Sequence, residues 1–194
     1  MDLAITAGDP KEGAPAPANA LEEELALVRR AVDEPRAFAI LYRRHYDRMA
    51  TYLYRRTGDP HATEDLLSEL FLAAWRGLPR FEPRGVPVRG WLYGIATRLA
   101  NRRARRRRPV ESLDDPGAIE GRDRTDGRDD ADEVRTLLAP LSPNHQAALV
   151  LHYVEGLSVD EIAAALGIRP GTVKSRLDRA RRKLRSQIQA RRSS

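Results

Sequence analysis

The chain has 194 residues and a formal net charge of +6, from 34 basic and 28 acidic side chains. This length allows one domain or two small ones. The absence of cysteine excludes disulfides and thiolate metal sites and is compatible with a reducing compartment. No apolar run approaches the roughly 20 residues that cross a bilayer, and the first 20 residues lack the basic start and apolar centre of a signal peptide. We therefore expect a cytoplasmic protein with no membrane partner.

The charges are segregated along the chain. The stretch from Arg98 to Arg108 holds seven arginines and no acid, whereas Pro109 to Glu133 holds ten acids and three arginines. From Arg169 to Arg192 there are ten basic residues and one acid. This order of basic, acidic and basic segments is typical of two modules that face nucleic acid, separated by a solvated linker.

The N-terminal region combines a tail with a short helix. Residues 1–20 are rich in Ala, Pro and Gly and have no periodicity, which predicts a disordered tail. Leu25, Val28 and Val32 then recur at helical spacing and predict a short amphipathic helix, which Pro35 interrupts.

A longer helix is predicted from Ala37 to Arg56 and ends at Thr57-Gly58-Asp59-Pro60, since glycine, Asx and proline together favour a turn. Its predicted inner face consists of Phe38, Leu41, Tyr42, His45, Met49, Tyr52 and Leu53.

The next predicted helix has a face that mixes acidic and apolar residues. Leu66, Leu70, Ala73 and Ala74 can face a core. The other face carries Glu64, Asp65, Ser68, Glu69 and Leu72. Taken alone, this face fits either an ordinary charged surface or a docking surface for a basic partner helix.

After Gly77 and Pro79 the sequence predicts a proline-stiffened loop from Phe81 to Gly90 and a helix that starts near Trp91. Trp91 and Tyr93 can stack on unpaired bases, although an aromatic residue at helical spacing more often belongs to a core. The arginines after Arg98 indicate phosphate binding, because so many like charges repel one another unless an anion meets them.

The composition from 109 to about 131 predicts a flexible acidic linker. A second small domain follows. Its predicted elements are a short helix over Asp132 to Leu138, an N-cap at Ser142 followed by Pro143, and an apolar helix from Ala147 to Val154 that Gly156 ends.

The stretch from Ser158 to Ile188 predicts a helix-turn-helix. Ser158 and Glu161 have the spacing of a capping box, and Gly167 fits the residue with positive φ that ends the first helix. Ile168 is expected at the corner, and Pro170 in the first turn of the second helix. The apolar stripe of that second helix is Val173, Leu177, Ala180, Leu184 and Ile188.

The opposite face of the second helix is polar and basic, which suits a recognition helix among phosphates and base edges. No strand pattern of useful length occurs, so the predicted fold class is all-α, with two small helical domains joined by a linker.

Two other classes of function remain at this point. A helix-turn-helix regulator that binds operators would need a dimerisation surface, and nothing outside the motif provides an obvious heptad. An enzyme is disfavoured because the four histidines are scattered and neither HExxH nor GxxxxGK[ST] occurs. We therefore expect no catalytic residue, no cofactor and no metal site.

Three segments together resemble the extracytoplasmic-function (group 4) sigma factors of bacterial RNA polymerase. They are EDLLSELFLAAW at Glu64 to Trp75, WLYGIA at Trp91 to Ala96, and the long motif from Leu141 to Leu184. The resemblance implies four segments: a tail at 1–20, a sigma-2-like domain at 21–108, an acidic linker at 109–131 and a sigma-4-like domain at 132–194.

The resemblance also implies partners and sites. Core polymerase would bind through its β′ clamp helices and β flap, with the clamp meeting Glu64, Asp65, Ser68, Glu69 and Leu72. The −10 promoter element would meet Arg84, Arg89, Trp91, Tyr93, Arg98, Arg102 and Arg105. The −35 element would meet Thr172, Lys174, Ser175, Arg176, Asp178, Arg179 and Arg182. Members are commonly held inactive by an anti-sigma factor, which makes one a candidate partner here.

The linker length is compatible with simultaneous binding of both elements. Elements separated by about 17 base pairs lie roughly 58 Å apart, whereas residues 109–131 extend to about 80 Å.

Overall fold

A computed structural model of the chain describes residues 18–83, 87–107 and 137–192. All regular secondary structure in these ranges is helical, which confirms the all-α fold class. The α-helices are α1 (Ala18–Ala31), α2 (Pro35–Thr57), α3 (Pro60–Gly77), α4 (Val88–Arg107), α5 (Pro143–Leu149), α6 (Val159–Leu166) and α7 (Pro170–Arg192). A 3-10 turn, Leu78–Arg80, follows α3, and a π-helical turn, Val150–Val154, follows α5.

The first four helices pack into a bundle around α2. Pro35 occupies the first turn of α2, where its missing N–H needs no partner, so the helix begins two residues before the predicted start at Ala37. Gly58 ends α2 with φ 64°, and the Asp59 carboxylate accepts a hydrogen bond from the Ala62 amide that caps α3. The predicted turn between these helices is therefore confirmed.

The inner face of α2 is mostly as predicted. Leu41, His45, Met49, Tyr52 and Leu53 are buried. Tyr42 is an exception with 38% of its surface exposed, because it lies at the rim of the contact with α3 instead of beneath it.

Helix α4 begins earlier than the sequence predicted. It starts at Val88, and the Pro87 carbonyl accepts hydrogen bonds from the amides of Gly90 and Trp91. The predicted start near Trp91 was wrong, because Val88 is buried in the core and the intervening Gly90 does not break the helical turn.

The second group of helices begins with a turn tied together by Gln146. Its buried amide nitrogen donates to the carbonyls of Leu138 and Leu141. Ser142 is the N-cap of α5 and Pro143 follows it, as predicted, although the Ser142 hydroxyl contacts the His145 ring and caps no backbone amide. The predicted helix over 147–154 was wrong in its bounds: α5 starts at Pro143, and the π-helical turn replaces its last part.

The helix-turn-helix is confirmed in detail. The Ser158 hydroxyl accepts from the Glu161 amide at 3.1 Å, and the Glu161 carboxylate accepts from the Ser158 amide at 2.8 Å. Gly167 has φ 66° and ends α6. The stripe of Val173, Leu177, Ala180 and Leu184 is buried against α5 and α6.

The two groups of helices pack on each other in this structure. Helix α4 lies against α5 and α6, and the buried side chains of both groups form one continuous cluster. The approach is closest at Gly94, where a Cβ atom would lie 2.1 Å from the Ala165 carbonyl oxygen. Glycine is therefore required here for α4 and α6 to meet at this distance.

Several predictions fall on residues outside the described ranges. These are residues 1–17 of the predicted tail, the acidic linker at 109–131, most of the helix predicted over 132–138, and the side chain of Ile188. Helix α1 already includes 18–20, the last three residues assigned to the tail.

Across residues 18–83, 87–107 and 137–192, no helix is long and apolar enough to cross a membrane. The same ranges contain no group of three or more His, Cys, Asp or Glu side chains arranged to hold a metal ion.

Candidate functional site

Helix α3 divides into a buried and an exposed face, as its sequence predicted. Of the residues predicted to face the core, Leu66, Leu70 and Ala74 are buried and Ala73 is half-buried; Leu67 and Phe71, which were not predicted to face it, are buried as well. Glu64, Asp65, Ser68, Glu69 and Leu72 are all exposed. Leu72 leaves 50% of its surface in contact with solvent, beside these carboxylates. An exposed leucine among acids offers a partner both charge and apolar contact.

An aromatic groove, which the sequence analysis did not identify, adjoins this face. It lies between α2 and α3 and is lined mainly by Phe38, Tyr42, Tyr46, Phe71 and Trp75. Trp75 is 37% exposed, and its ring lies 4.7 Å from that of Phe38. The signal in the sequence was the four-residue spacing of Phe38, Tyr42 and Tyr46; the first two were predicted as part of the inner face of α2, and Tyr46 was given no role. The groove extends the exposed apolar surface beyond Leu72.

Two ion pairs join the acidic face of α3 to the arginines of α4. Arg102 lies 2.6 Å from the Glu69 carboxylate, and Arg103 lies 3.8 Å from that of Asp65. The α3 residues assigned to polymerase and the α4 arginines assigned to the −10 element are therefore in contact with each other. A partner that binds the Glu69 carboxylate would break its ion pair with Arg102 and leave that arginine unpaired.

The residues assigned to the −10 element are not equally accessible. Arg98, Arg102 and Arg105 are exposed along α4. Trp91 is half-buried, and its ring packs 4.8 Å from that of Phe81, as expected for the core alternative. Arg84 lies outside the described residues.

Two further residues of this set contact the second group of helices. Arg89 lies 3.7 Å from the Glu161 carboxylate, so it belongs to the contact between the two helical groups. Tyr93 is only 1% exposed, and its hydroxyl donates a hydrogen bond to the carboxylate of Glu155. Tyr93 is therefore not available to DNA while the two groups of helices remain in contact, whereas Arg89 is partly exposed.

The residues assigned to the −35 element lie on the outer face of α7. Thr172, Lys174, Ser175, Asp178, Arg179 and Arg182 are exposed, and Arg176 is half-buried. Asp178 and Arg182 form an ion pair of 2.8 Å one helical turn apart, which leaves Lys174 and Arg179 as cations on this face. The face is positively charged and projects from a helix whose other side is held in the core, the geometry that a recognition helix requires.

Family comparisons agree with this division of the chain. Residues 41–110 match the family model for sigma-70 region 2, and residues 131–184 match the one for sigma-70 region 4. The first range covers α3 and α4, and the second contains the helix-turn-helix.

Curated relatives match across both regions. The chain is 36% identical over 171 residues to the ECF RNA polymerase sigma factor SigL of Mycobacterium tuberculosis, covering 86% of this chain and 91% of SigL. It is 37% identical over 157 residues to SigE of Mycolicibacterium smegmatis, covering 76% of this chain and 60% of SigE. SigW of Bacillus subtilis is 29% identical over 167 residues.

Two solved structures resemble the whole arrangement. CnrH in complex with the cytosolic domain of CnrY superposes with a TM-score of 0.67 at 27% identity, covering 86% of this chain and 97% of CnrH. RpoE of Bartonella quintana, solved with the anti-sigma factor NepR, has a TM-score of 0.53 at 22% identity and shares the fold.

Proposed function

This chain belongs to the extracytoplasmic-function group of the sigma-70 family. From that premise we propose which of its surfaces bind core polymerase and which bind promoter DNA. Sigma factors are noncatalytic subunits of RNA polymerase, which agrees with the absence of any enzyme motif. The observation that carries the proposal is the presence of three separate exposed faces: one acidic and apolar on α3, and two basic ones on α4 and α7.

The α3 face binds core polymerase. Its carboxylates attract a basic partner, and Leu72 with the neighbouring aromatic groove provides the apolar surface that a stable interface needs at its centre. A helical hairpin such as the β′ clamp fits this elongated surface.

The basic faces bind promoter DNA. Arg98, Arg102 and Arg105 of α4 meet the −10 element, and the outer face of α7 reads the −35 element in the major groove. Each contact is weak alone, and attachment to one polymerase raises the effective concentration of the second contact once the first has formed.

Binding to both elements requires the two helical groups to separate. Elements about 17 base pairs apart lie roughly 58 Å from each other, whereas α4 and α6 are in direct contact here. Separation also uncovers Arg89 and Tyr93, so the predicted DNA contacts of these residues apply to the open form.

The closed arrangement supports a further partner, an anti-sigma factor that stabilises it. CnrH, whose structure superposes on this chain over both regions, was solved in complex with the cytosolic domain of CnrY. A partner that spans both helical groups would cover the α3 face and keep α4 against α6. Because bacterial RNA polymerase and promoter DNA are in the cytoplasm, the protein acts there.

Run-off transcription with purified core polymerase tests the proposal. Adding the chain should direct initiation from a limited set of promoters, and sequencing the transcript 5′ ends should reveal shared −35 and −10 sequences. If the chain binds DNA but directs no promoter-specific initiation, the alternative of an operator-binding regulator replaces the sigma-factor proposal.

A further inference from the structure

A polar groove lies beside the recognition helix, between residues assigned to the −35 element and residues of α5 that have no such assignment. It is formed between the start of α5 and the N-terminal half of α7 and has a volume of about 560 Å³. Helix α7 contributes Gly171, Thr172, Ser175, Arg176 and Arg179. The other wall consists of Ser142, Asn144 and His145. None of these three residues belongs to the set assigned to the −35 element.

The groove has positive charge without a counter-ion. Arg176 is half-buried, and burial lowers the pKa of its guanidinium below the ordinary value. Among the described residues neither Arg176 nor Arg179 has a carboxylate within 4.0 Å, whereas the nearby Arg182 is paired with Asp178. Both guanidinium groups can therefore bind an anion that enters the groove without first breaking an ion pair.

The positive charge of this groove affects the pKa of His145. Its pKa is lowered below the ordinary value, first by burial and then by the positive charges of Arg176, Arg179 and Lys183 on α7. His145 is the only titratable side chain of α5, and the residue of α4 that meets α5 beside it is neutral: Asn101 donates to Asn144 at 3.2 Å. The imidazole Nδ1 lies 3.0 Å from the Ser142 hydroxyl. Burial and the charges of α7 therefore both disfavour protonated His145 in the free chain.

We propose that this groove binds a backbone phosphodiester of promoter DNA between Arg176, Arg179 and His145, and that His145 takes up one proton as the phosphate enters. The proposal rests on the −35 assignment of α7 and extends it to α5. A phosphodiester of duplex DNA is favoured over a free anion because the groove opens beside Thr172 and Ser175, on the face of α7 that meets the major groove. His145 acts as a positioning residue for the DNA backbone and carries no base specificity.

The sign of the pH dependence follows from linkage. The positive groove disfavours protonated His145 in the free chain, and a bound phosphate reverses that effect, so the pKa rises on binding. Affinity for the promoter should therefore increase as pH falls through the pKa of the bound form, and should level off below that of the free form. Histidine is suited to this role because its ordinary pKa is about 6.5.

Promoter affinity of the reconstituted holoenzyme, measured between about pH 6 and pH 8, tests the proton uptake. Wild-type holoenzyme should bind several-fold more tightly at the acidic end, and His145→Gln should remove this dependence. His61→Gln is the matched control, since His61 is an exposed histidine at the start of α3, remote in sequence from the groove. A pH dependence that persists in His145→Gln overturns the inference.

Histidine side-chain NMR of the full chain distinguishes the two sources of phosphate. The pKa of His145 should rise when a short duplex is added and should stay unchanged with inorganic phosphate at equal ionic strength. An equal rise with both indicates a general anion site and overturns the assignment to DNA.

If the wild-type chain directs no promoter-specific transcripts, the proposed function fails. Normal transcripts with an unchanged pH profile in His145→Gln reject this inference alone.

Discussion

The buried hydroxyl of Tyr93, on α4, donates a hydrogen bond to the carboxylate of Glu155, which follows the π-helical turn of the second helical group. Arg55 of α2 donates to the same carboxylate at 3.4 Å. Burial raises the pKa of Tyr93 well above its ordinary value, and the negative charge of Glu155 raises it further. This cluster joins region 2 to region 4, and the proposed opening of the chain would break it.

Tyr93→Phe should weaken the closed form. A hydrogen bond to a charged group contributes about 1.5–3 kcal/mol to stability. The variant removes the hydrogen bond from Tyr93 to Glu155, and because this carboxylate is buried, water cannot replace the lost donor. Urea denaturation should show a loss of this size. Tyr153→Phe is the matched control: Tyr153 is exposed and its hydroxyl accepts from Arg181 at 3.3 Å, so its loss should be smaller. Equal losses for the two variants would contradict the importance of the Tyr93 cluster.

Gly94→Ala should separate the two helical groups without disrupting α4. The new methyl group would lie 2.1 Å from the Ala165 carbonyl oxygen, a backbone contact that is relieved when α4 and α6 move apart. Within α4, alanine favours the helix over glycine by up to about 1 kcal/mol. Small-angle scattering should report a larger radius of gyration than for the wild-type chain.

Gly171→Ala provides the control for this effect. A Cβ atom there meets nothing within 4 Å, so the same substitution within a helix should leave the radius of gyration unchanged. A compact Gly94→Ala chain would show that the interface tolerates the methyl group.

A covalent lock between the helical groups should prevent initiation. The chain has no cysteine, so Arg89→Cys with Glu161→Cys, at positions whose side chains lie 3.7 Å apart, creates the only pair that a short bismaleimide can join. The cross-linked chain should lose promoter-specific initiation because α4 and α7 can no longer reach both elements. The same double variant without cross-linker measures the effect of the substitutions, and full activity of the cross-linked chain would show that opening is unnecessary.

Glu69→Lys should impair binding to core polymerase while leaving the helical content unchanged by circular dichroism. The substitution reverses a charge at the centre of the acidic face and breaks the 2.6 Å pair with Arg102. A pull-down with core polymerase measures the loss, and Glu23→Lys, on the exposed part of α1, controls for net charge.

Leu72→Ala tests the apolar part of the same surface. We expect it to weaken polymerase binding by at least about 1 kcal/mol, as for a central interface residue. Ile40 is 44% exposed but lies two residues from Phe38 and Tyr42, on the opposite side of α2 from the aromatic groove, so Ile40→Ala should have little effect. Similar losses for both variants would place the polymerase elsewhere.

Arg179→Ala should weaken binding to the −35 element by roughly 1–3 kcal/mol if its contact is to a base. Arg185→Ala removes the same charge further along α7 and should cost less. Competition binding of the holoenzyme to promoters with intact and altered −35 sequences measures the difference. If the two variants lose equal affinity on both promoters, Arg179 contributes only general attraction to phosphates.

The features that the sequence predicted correctly depend on residues close together in the chain. The capping box of Ser158 and Glu161 spans three residues, and the positive φ of Gly167 depends on its own lack of a side chain. The buried stripe of α7 and the exposed face of α3 follow from the helical period, which a linear sequence displays directly. The bounds of α4 and α5 were less accurate because burial of Val88 and the π-helical turn result from packing against other elements.

The sequence by itself determined the helical fold class, the recognition helix, and the acidic face of α3 and the basic faces of α4 and α7, since periodicity, caps and charge are local properties of the chain. Only the tertiary structure decided which of these faces are free. Tyr93 and Glu155 are 62 residues apart, and Asn101 and Asn144 are 43 apart. No spacing rule connects such positions, so the buried state of Tyr93, the ion pairs of Glu69 and Asp65, and the groove that joins His145 to Arg176 emerge only when the helices pack.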